Sequence, residues 1–180
     1  MSFSIDTFRG SALAAGGARA NLFEVGITGS AVQKFSLNTT EFNFSCKAAA
    51  IPPMAVGVVE VPYFGRMVKV PGNRTFDNLS ITVINDEEME IRNGFEKWMD
   101  MFNAHEGNDS LFTGASHGLG TMVITHHTRD FNSSGDQKWE FTNIFPVALG
   151  EIGLDWGSND TIEEFTVDLA YDYWTSEFVE

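Results

Sequence analysis

The sequence has a single cysteine, few basic residues and no long apolar run. Cys46 cannot form an internal disulfide, which suits a reducing compartment. The chain has 11 Lys and Arg residues and 25 Asp and Glu residues, and its formal net charge is -14. A field of this sign repels polyanions, which argues against nucleic-acid binding by phosphate neutralisation and against binding to an anionic membrane surface. No apolar stretch approaches the ~18 residues of a membrane-spanning helix.

Motifs that would indicate catalysis or cofactor binding are also missing. The chain has no Walker loop, no G-x-G-x-x-G, no G-x-S-x-G and no H-E-x-x-H. His126 and His127 are adjacent, and neighbours on a strand point to opposite faces, so they cannot chelate one ion together. Cys46 alternates with Phe42 and Phe44 in "FNFSCK", which predicts a strand with a buried, inert thiol. We therefore expect no cofactor, no metal and no enzymatic activity.

What the sequence does have is apolar and aromatic content. Its 180 residues are 43% hydrophobic and 13% aromatic, with 16 Phe, which indicates a folded core. We expect one domain over residues 1–180. Residues 1–20 are rich in small residues and predict a flexible N-terminal arm, without the basic and apolar regions of a secretory signal.

Alternating apolar and polar residues predict most of the chain to be short β-strands. Phe23, Val25 and Ile27 share one face of the first strand, and Leu79, Ile81 and Val83 share one face of a later strand. Further strand patterns are "TMVITHHTR", "QKWEFTNIFPVAL", "GEIGLDW" and "TIEEFTVDLAYDYW". The pattern predicts a mainly β fold, an antiparallel sandwich or barrel.

One segment has helical periodicity. Between about residues 87 and 103 the apolar residues Ile91, Phe95, Trp98 and Phe102 recur at helical spacing and are predicted to face the core. Asn85 or Asp86 is a candidate N-cap. A single helix packed on the β-structure is therefore expected.

The segment "VPYFGRMVKVPG", residues 61–72, is apolar and β-prone, yet it is broken by Gly65 and flanked by prolines. Such a strand pair has no obvious partner within the chain. Residues 62–99 resemble the tail tube proteins of contractile-tailed bacteriophages. The resemblance lies in the "PYFGR-VK-PG-RTF" run, in "T-INDE" at residues 82–87 and in "IRN-FE-WM" at residues 91–99.

The resemblance implies a fold related to type VI secretion tube proteins, in which six subunits share strands in a ring and the rings stack. It implies a structural virion protein, the major tail tube subunit, assembled in the host cytoplasm. The expected partners are copies of itself, the sheath, the tape measure protein, and baseplate and terminator proteins. DNA would pass through the lumen without specific binding.

Two sets of residues follow from this hypothesis. The inner-barrel and subunit-interface candidates are Val58, Glu60, Tyr63, Phe64, Arg66 and Lys69. The lumen candidates are the carboxylates Glu60, Glu140, Glu151 and Asp155, because like charge along a bore keeps phosphates from binding.

Three alternatives remain open at this stage. The first is a baseplate protein of the same fold that initiates or terminates the tube. The second is a type VI or phage-derived bacteriocin tube. The third belongs to a different class, a monomeric β-sandwich that binds carbohydrate through Trp139, Trp156 and Trp174.

Overall fold

The computed structural model describes residues 4–11, 16–29, 39–107, 110, 118–130 and 135–177. The elements in chain order are α1 (Ile5–Ser11), β1 (Phe23–Gly29), α2 (Thr39–Ser45), β2 (Cys46–Ala50), β3 (Met54–Tyr63), β4 (Arg66–Phe76), β5 (Leu79–Ile84), α3 (Glu90–Phe102), β6 (Gly120–His126), β7 (Gln137–Leu149), β8 (Glu164–Ala170) and β9 (Tyr173–Ser176).

Seven strands form one antiparallel sheet, which we call the body sheet. Its order is β1-β6-β7-β8-β5-β2, and β9 pairs with β7 beside β8. The first part of β7 pairs with β9, and its last part, from Phe145 to Leu149, pairs with β8. Asn143, with φ 57°, lies between the two parts, and its Nδ2 donates to Asp172 Oδ2 at 2.6 Å. The predicted antiparallel, mainly β fold is confirmed.

The core lies between the body sheet and α3. Alternation buries Leu79, Ile81 and Val83 along β5, as predicted. Ile91, Phe95 and Trp98 of α3 are buried as well, whereas Phe102 is partly buried and packs against the same cluster. Trp98 Nε1 donates to the Gly118 carbonyl at 2.6 Å, which satisfies the one polar atom that this indole brings into the core.

The start of α3 differs from the prediction. The helix begins at Glu90, three residues later than expected, and the preceding Met89 takes a left-handed conformation with φ 54°. Asp86 still serves the helix, because its Oδ2 accepts the Glu90 N–H at 3.1 Å. Asn85 instead donates through Nδ2 to Glu163 Oε2 at 3.2 Å. The Asp86 carboxylate therefore accepts the first helical N–H, although the residue directly before the helix is Met89 and not Asn85 or Asp86.

The predicted strand "FNFSCK" is wrong, because residues 39–45 form α2. Phe42 and Cys46 are four residues apart, a spacing that places two side chains on one face of either a helix or a strand. Phe44, between them, is 85% exposed, as expected two residues away on a helix. Cys46, at the start of β2, is nevertheless buried as predicted, and burial raises the pKa of its thiol to about 12.

Three further segments differ from the sequence pattern. "GEIGLDW" is not a strand, since residues 150–163 have no regular structure. The last predicted strand is interrupted at Tyr171 and Asp172, which separate β8 from β9. Within the segment predicted as an arm, residues 5–11 form α1. No helix among the described residues has the length and apolarity to cross a membrane.

Candidate assembly surface

Strands β3 and β4 form a separate two-stranded sheet, which we call the hairpin arm (residues 54–76). The arm continues the β2–β5 pair: Ala50 pairs with Ser80, and Met54 pairs with Phe76 four residues further along both strands. Near this base, Phe76 packs on the Tyr171 ring with centroids 6.0 Å apart. Ten residues of extended chain span roughly 33 Å, so the arm projects well beyond the body sheet.

The turn at the tip explains why a glycine interrupts this apolar segment. Tyr63 pairs with Arg66, which leaves the two-residue connection Phe64–Gly65. Both residues lie in the left-handed region, with φ 42° and φ 76°, as a two-residue turn of the type I′ class requires. Phe64 is 91% exposed, and its ring meets Tyr63 edge-on at 4.8 Å. The predicted break at Gly65 is confirmed.

A bulge lies near the middle of the arm. The register shifts between Val56 and Val58, where β4 contributes one additional residue around Gly72. A Cβ at Gly72 would lie 3.1 Å from the Gly57 carbonyl oxygen, so glycine permits this close approach. Pro71 lies beside the bulge inside β4, and a bulge on an edge strand tolerates proline.

Every residue of β3 is exposed although the strand is mostly apolar. The exposed large apolar side chains of the arm are Met54, Val56, Val58, Val59, Val61, Tyr63, Phe64, Met67, Val68 and Val70. An isolated two-stranded hairpin is marginally stable in water. Long apolar strands with unpaired edges are also templates for association. The arm therefore has the composition of a buried element and the exposure of a binding surface.

The register divides the outer part of the arm into two faces. One face, which we call the valine face, contains Val59, Val61, Tyr63, Arg66, Val68 and Val70 as cross-strand pairs. The opposite face, which we call the mixed face, contains Val58, Glu60, Pro62, Met67, Lys69 and Pro71. The Lys69 ammonium lies 3.9 Å from Glu60 Oε1, and both groups are exposed, so this pair contributes at most about 1 kcal/mol.

All six interface candidates from the sequence lie in the arm and are exposed. The structure separates them, however. Tyr63 and Arg66 lie on the valine face, Phe64 is at the tip, and Val58, Glu60 and Lys69 lie on the mixed face. A single partner surface therefore cannot contact all six at once.

The four carboxylates predicted for the lumen are exposed but lie in three places. Glu60 is on the mixed face. Glu140 is in β7, between Val123 and Thr175, on the face of the body sheet opposite the core. Glu151 and Asp155 belong to the irregular segment between β7 and β8. Whether they line a bore stays a prediction.

The segment of residues 150–163, which we call the acidic loop, is a feature that the strand prediction missed. It holds Glu151, Asp155, Asp160 and Glu163 and no basic residue. The apolar side chains of Leu154, Trp156 and Ile162 are largely or fully exposed. The closely spaced glycines of "GEIGLDWGSND" indicate a loop, and they are the pattern that identifies it.

The acidic loop is held in shape at its ends and at its tip. Gly150 donates its N–H to the Thr166 carbonyl at 2.7 Å, and its own carbonyl accepts from Arg92 at 2.7 Å. At the tip, Asp155 Oδ1 accepts the Gly157 N–H at 2.9 Å. Trp156 is thus presented to solvent from a hydrogen-bonded turn.

The histidines were predicted not to share a metal ion, and the structure places them in different contacts. His126 Nε2 lies 2.9 Å from the Arg19 carbonyl. His127 lies between two carboxylates, with Nδ1 2.8 Å from Asp136 Oδ2 and Nε2 3.4 Å from Glu24 Oε2. The Asp136 carboxylate, and to a smaller extent Glu24, raises the pKa of His127. The described residues contain no cluster with the composition of a metal site.

The tryptophans predicted for a carbohydrate platform do not lie together on an exposed surface. Trp139 and Trp174 are partly buried and pack against the core, and the Trp174 ring lies 6.5 Å from Phe141. Trp156 alone of the three is fully exposed, in the acidic loop. Two of the three candidates therefore serve packing.

Comparison with known families shows the family of the chain. The family model described as phage tail tube protein matches residues 18–177. The chain belongs to the phage tail tube protein family. Tail tube protein gp19 of Enterobacteria phage T4 is 34% identical to this tail tube protein over 157 residues, which cover 87% of this chain and 90% of that protein.

Solved structures support the fold of this tail tube protein. A chain in the anti-feeding prophage baseplate, symmetrised six-fold, matches with a TM-score of 0.65 and 14% identity, over 89% of this chain and 95% of that one. A chain in the sheath–tube complex of an extracellular contractile injection system matches with a TM-score of 0.61 and 14% identity, over 98% and 99%. At such low identity the likeness concerns the fold.

Proposed function

We propose that this tail tube protein assembles into hexameric rings that stack into the channel of a contractile phage tail. The observation that carries the proposal is the hairpin arm, whose apolar strands are exposed and whose outer edges pair with no other strand among the described residues. In a ring, each arm would lie against the next copy, and the edges would be paired through a continuous inner barrel. Closure of this kind removes edges that would otherwise aggregate.

The symmetry of such an assembly follows from the shape of the chain. The arm leaves from one side of the body sheet, so the surface it offers differs from the surface that receives it. Contacts between unlike surfaces propagate head to tail, and they close into a ring when the rotation between copies divides a full turn. Six-fold closure is our proposal for this chain, and a neighbour of the same fold belongs to a baseplate symmetrised six-fold.

The partners and location in this proposal come from the family. A fold neighbour belongs to a sheath–tube complex, which supports a sheath around the tube. We include the baseplate, the tail terminator and the tape measure protein among the partners, and the virion, assembled in the host cytoplasm, as the location. The role is structural and not catalytic, as for tail tube proteins generally.

The negative charge of the chain has a function in this proposal. DNA passing through a bore is repelled by carboxylates within about a Debye length, ~8–10 Å at physiological salt. Glu60 and Glu140 are exposed on surfaces that an inner barrel would turn inward. Lys69 offsets part of the Glu60 charge. A net negative bore would let the genome slide without binding.

The proposal is tested by electron microscopy of the purified protein at rising concentration. Six-fold rings or hollow tubes are the expected result. A Val61→Asp, Val68→Asp double variant should stay monomeric with an unchanged circular dichroism spectrum, because both positions are exposed. A wild-type protein that remains monomeric at every concentration, and also with a purified tail baseplate as initiator, would overturn the proposal. Copy number in virions separates a major tube subunit, which is abundant, from a baseplate protein of this fold.

A further inference from the structure

The described part of the chain contains two exposed surfaces of complementary composition. The first is the valine face of the hairpin arm. The second is the acidic loop, where Trp156 is fully exposed. We propose that the valine face of one copy docks on the acidic loop of the next copy. The inference rests on the proposed assembly and names the surface that receives the arm.

Charge supports this pairing. The arm carries Arg66, Lys69 and Arg74 against a single acid, Glu60, within a chain of net charge -14. The acidic loop carries four carboxylates and no basic residue. The arm is thus a basic region of an acidic protein, and an acidic surface of another copy, such as this loop, attracts it.

The apolar chemistry selects the face of the arm. The valine face offers four valines, with Arg66 at its outer end and no carboxylate. Trp156 is fully exposed and lines one open cavity together with Leu154 and Ile162, and Asp155 precedes it in the chain. In the docked arrangement Trp156 is buried against the valines, and the Arg66 guanidinium lies near the Trp156 ring or the Asp155 carboxylate. Such a combination is typical of an interface hot spot.

Other exposed apolar groups fit the arm less well. Ile5 and Phe8 of α1 lie in a helix with one acid and one base, Asp6 and Arg9. Phe44 of α2 has Glu41 as the only charge in its helix. Neither surface matches the positive charge of the arm as the acidic loop does. The loop is also pre-shaped by the Asp155 turn and the Gly150 anchors, so docking orders little additional chain.

The inference has consequences for both faces of the arm. If the valine face is covered by the next copy, the mixed face is left to the bore, together with Glu60 and Lys69. Glu151 and Asp155 then belong to the contact between copies, whereas Glu60 and Glu140 keep the predicted place in the lumen. The native Cys46 is buried, so cysteines introduced at the two surfaces are chemically distinguishable from it.

Disulfide trapping between two variants tests the docking directly. Val61→Cys protein is mixed with Ser158→Cys protein under mild oxidation, and a heterodimer is expected on a non-reducing gel. The matched control replaces Val61→Cys by Val58→Cys, on the mixed face of the same strand, and should cross-link at least about tenfold more slowly. Equal rates for the two faces, or no heterodimer with either, would overturn the docking.

Charge reversal provides an independent test. Arg66→Glu and Asp160→Lys should each raise the concentration needed for assembly by about tenfold. A double variant that combines both charge reversals in the same chain should assemble again. Trp156→Ser should prevent assembly and leave the thermal midpoint unchanged. Assembly of Trp156→Ser at the wild-type concentration would refute the inference. Burial of Trp156 only after another tail protein is added to finished tubes would also refute it, because the loop would then bind that protein.

The two proposals fail in different ways. A face-specific cross-link without six-fold rings would uphold the docking and overturn the ring. Six-fold rings without the cross-link, and with normal assembly of Trp156→Ser, would overturn the docking and leave the ring intact. Absence of both the cross-link and the rings would overturn both.

Discussion

Strands β3 and β5 are both rich in apolar residues, but most apolar residues of β5 are buried, whereas those of β3 are exposed. In β5, Leu79, Ile81 and Val83 are buried in the core, and the alternate residues are not. In β3 the valines lie on both faces, with Val58 on one and Val59 and Val61 on the other, yet every position is exposed. A β-strand pattern therefore indicates that a face will be buried, but not whether the same chain or another copy buries it.

The contrast between β3 and β5 is tested most directly by placing a carboxylate in each strand. Val83→Asp puts a carboxylate at a fully buried site and should destabilise the protein by more than about 4 kcal/mol, enough to unfold it at room temperature. Val61→Asp, in the arm, should change the free energy of unfolding by about 0.5 kcal/mol or less and still prevent assembly. Urea unfolding followed by circular dichroism measures both. A large loss of stability in Val61→Asp would mean that the arm packs on its own body.

A pair of tryptophans gives the next largest difference. Trp98 is 1% exposed and donates to the Gly118 carbonyl, so Trp98→Ala should cost about 3–5 kcal/mol through a cavity and an unsatisfied acceptor. Trp156→Ala should leave the monomer as stable as wild type. Thermal unfolding of the two variants side by side measures this contrast. Equal thermal midpoints for Trp98→Ala and wild type would contradict the packing of α3.

His127 makes the stability of the protein depend on pH. Its pKa is raised by the Asp136 carboxylate, with a smaller contribution from Glu24. A raised folded-state pKa stabilises the protein fully below the unfolded-state pKa of about 6.5, and this stabilisation is lost as pH rises through the folded-state value. The thermal midpoint of wild type should exceed that of His127→Gln most at pH 5 to 6, and the difference should shrink by pH 8. A pH-independent difference would show that His127 acts through packing alone.

The smallest expected effect concerns the turn of the arm. Phe64 occupies the left-handed region at a position where type I′ turns favour Asn. Phe64→Asn should slow hydrogen exchange of the arm amides in the monomer severalfold, with almost no change in global unfolding, because the arm opens separately from the body. Faster exchange in the variant would mean that the Phe64–Tyr63 ring contact, and not the backbone of the turn, holds the tip together.

The sequence predicted the strands β1 and β5 and the buried stripe on α3 correctly. The alternation of Phe42, Phe44 and Cys46 is the same as that of the buried residues in β1 and β5, yet residues 39–45 form α2. Alternation over five residues does not distinguish the two elements, because positions four residues apart share a face in a strand and in a helix. The face of Arg66 does not follow from alternation alone, because it is set by the two-residue turn that pairs Arg66 with Tyr63. The alternative of a carbohydrate-binding surface includes Trp156, because the sequence pattern does not show that Trp139 and Trp174 pack against the core.

The continuity between the arm and the body sheet has a mechanical consequence. Because β2 leads into β3 and β4 leads into β5 along the chain, force applied along the arm passes through the backbone into β2 and β5, parallel to these strands of the body sheet. Hydrogen bonds of an antiparallel ladder lie across the strands, so such a pull loads them in shear, many at once, and does not unzip them one by one. A tube joined through these arms would therefore resist tension along each ribbon, and its weakest direction would be a force that peels β3 sideways from β4.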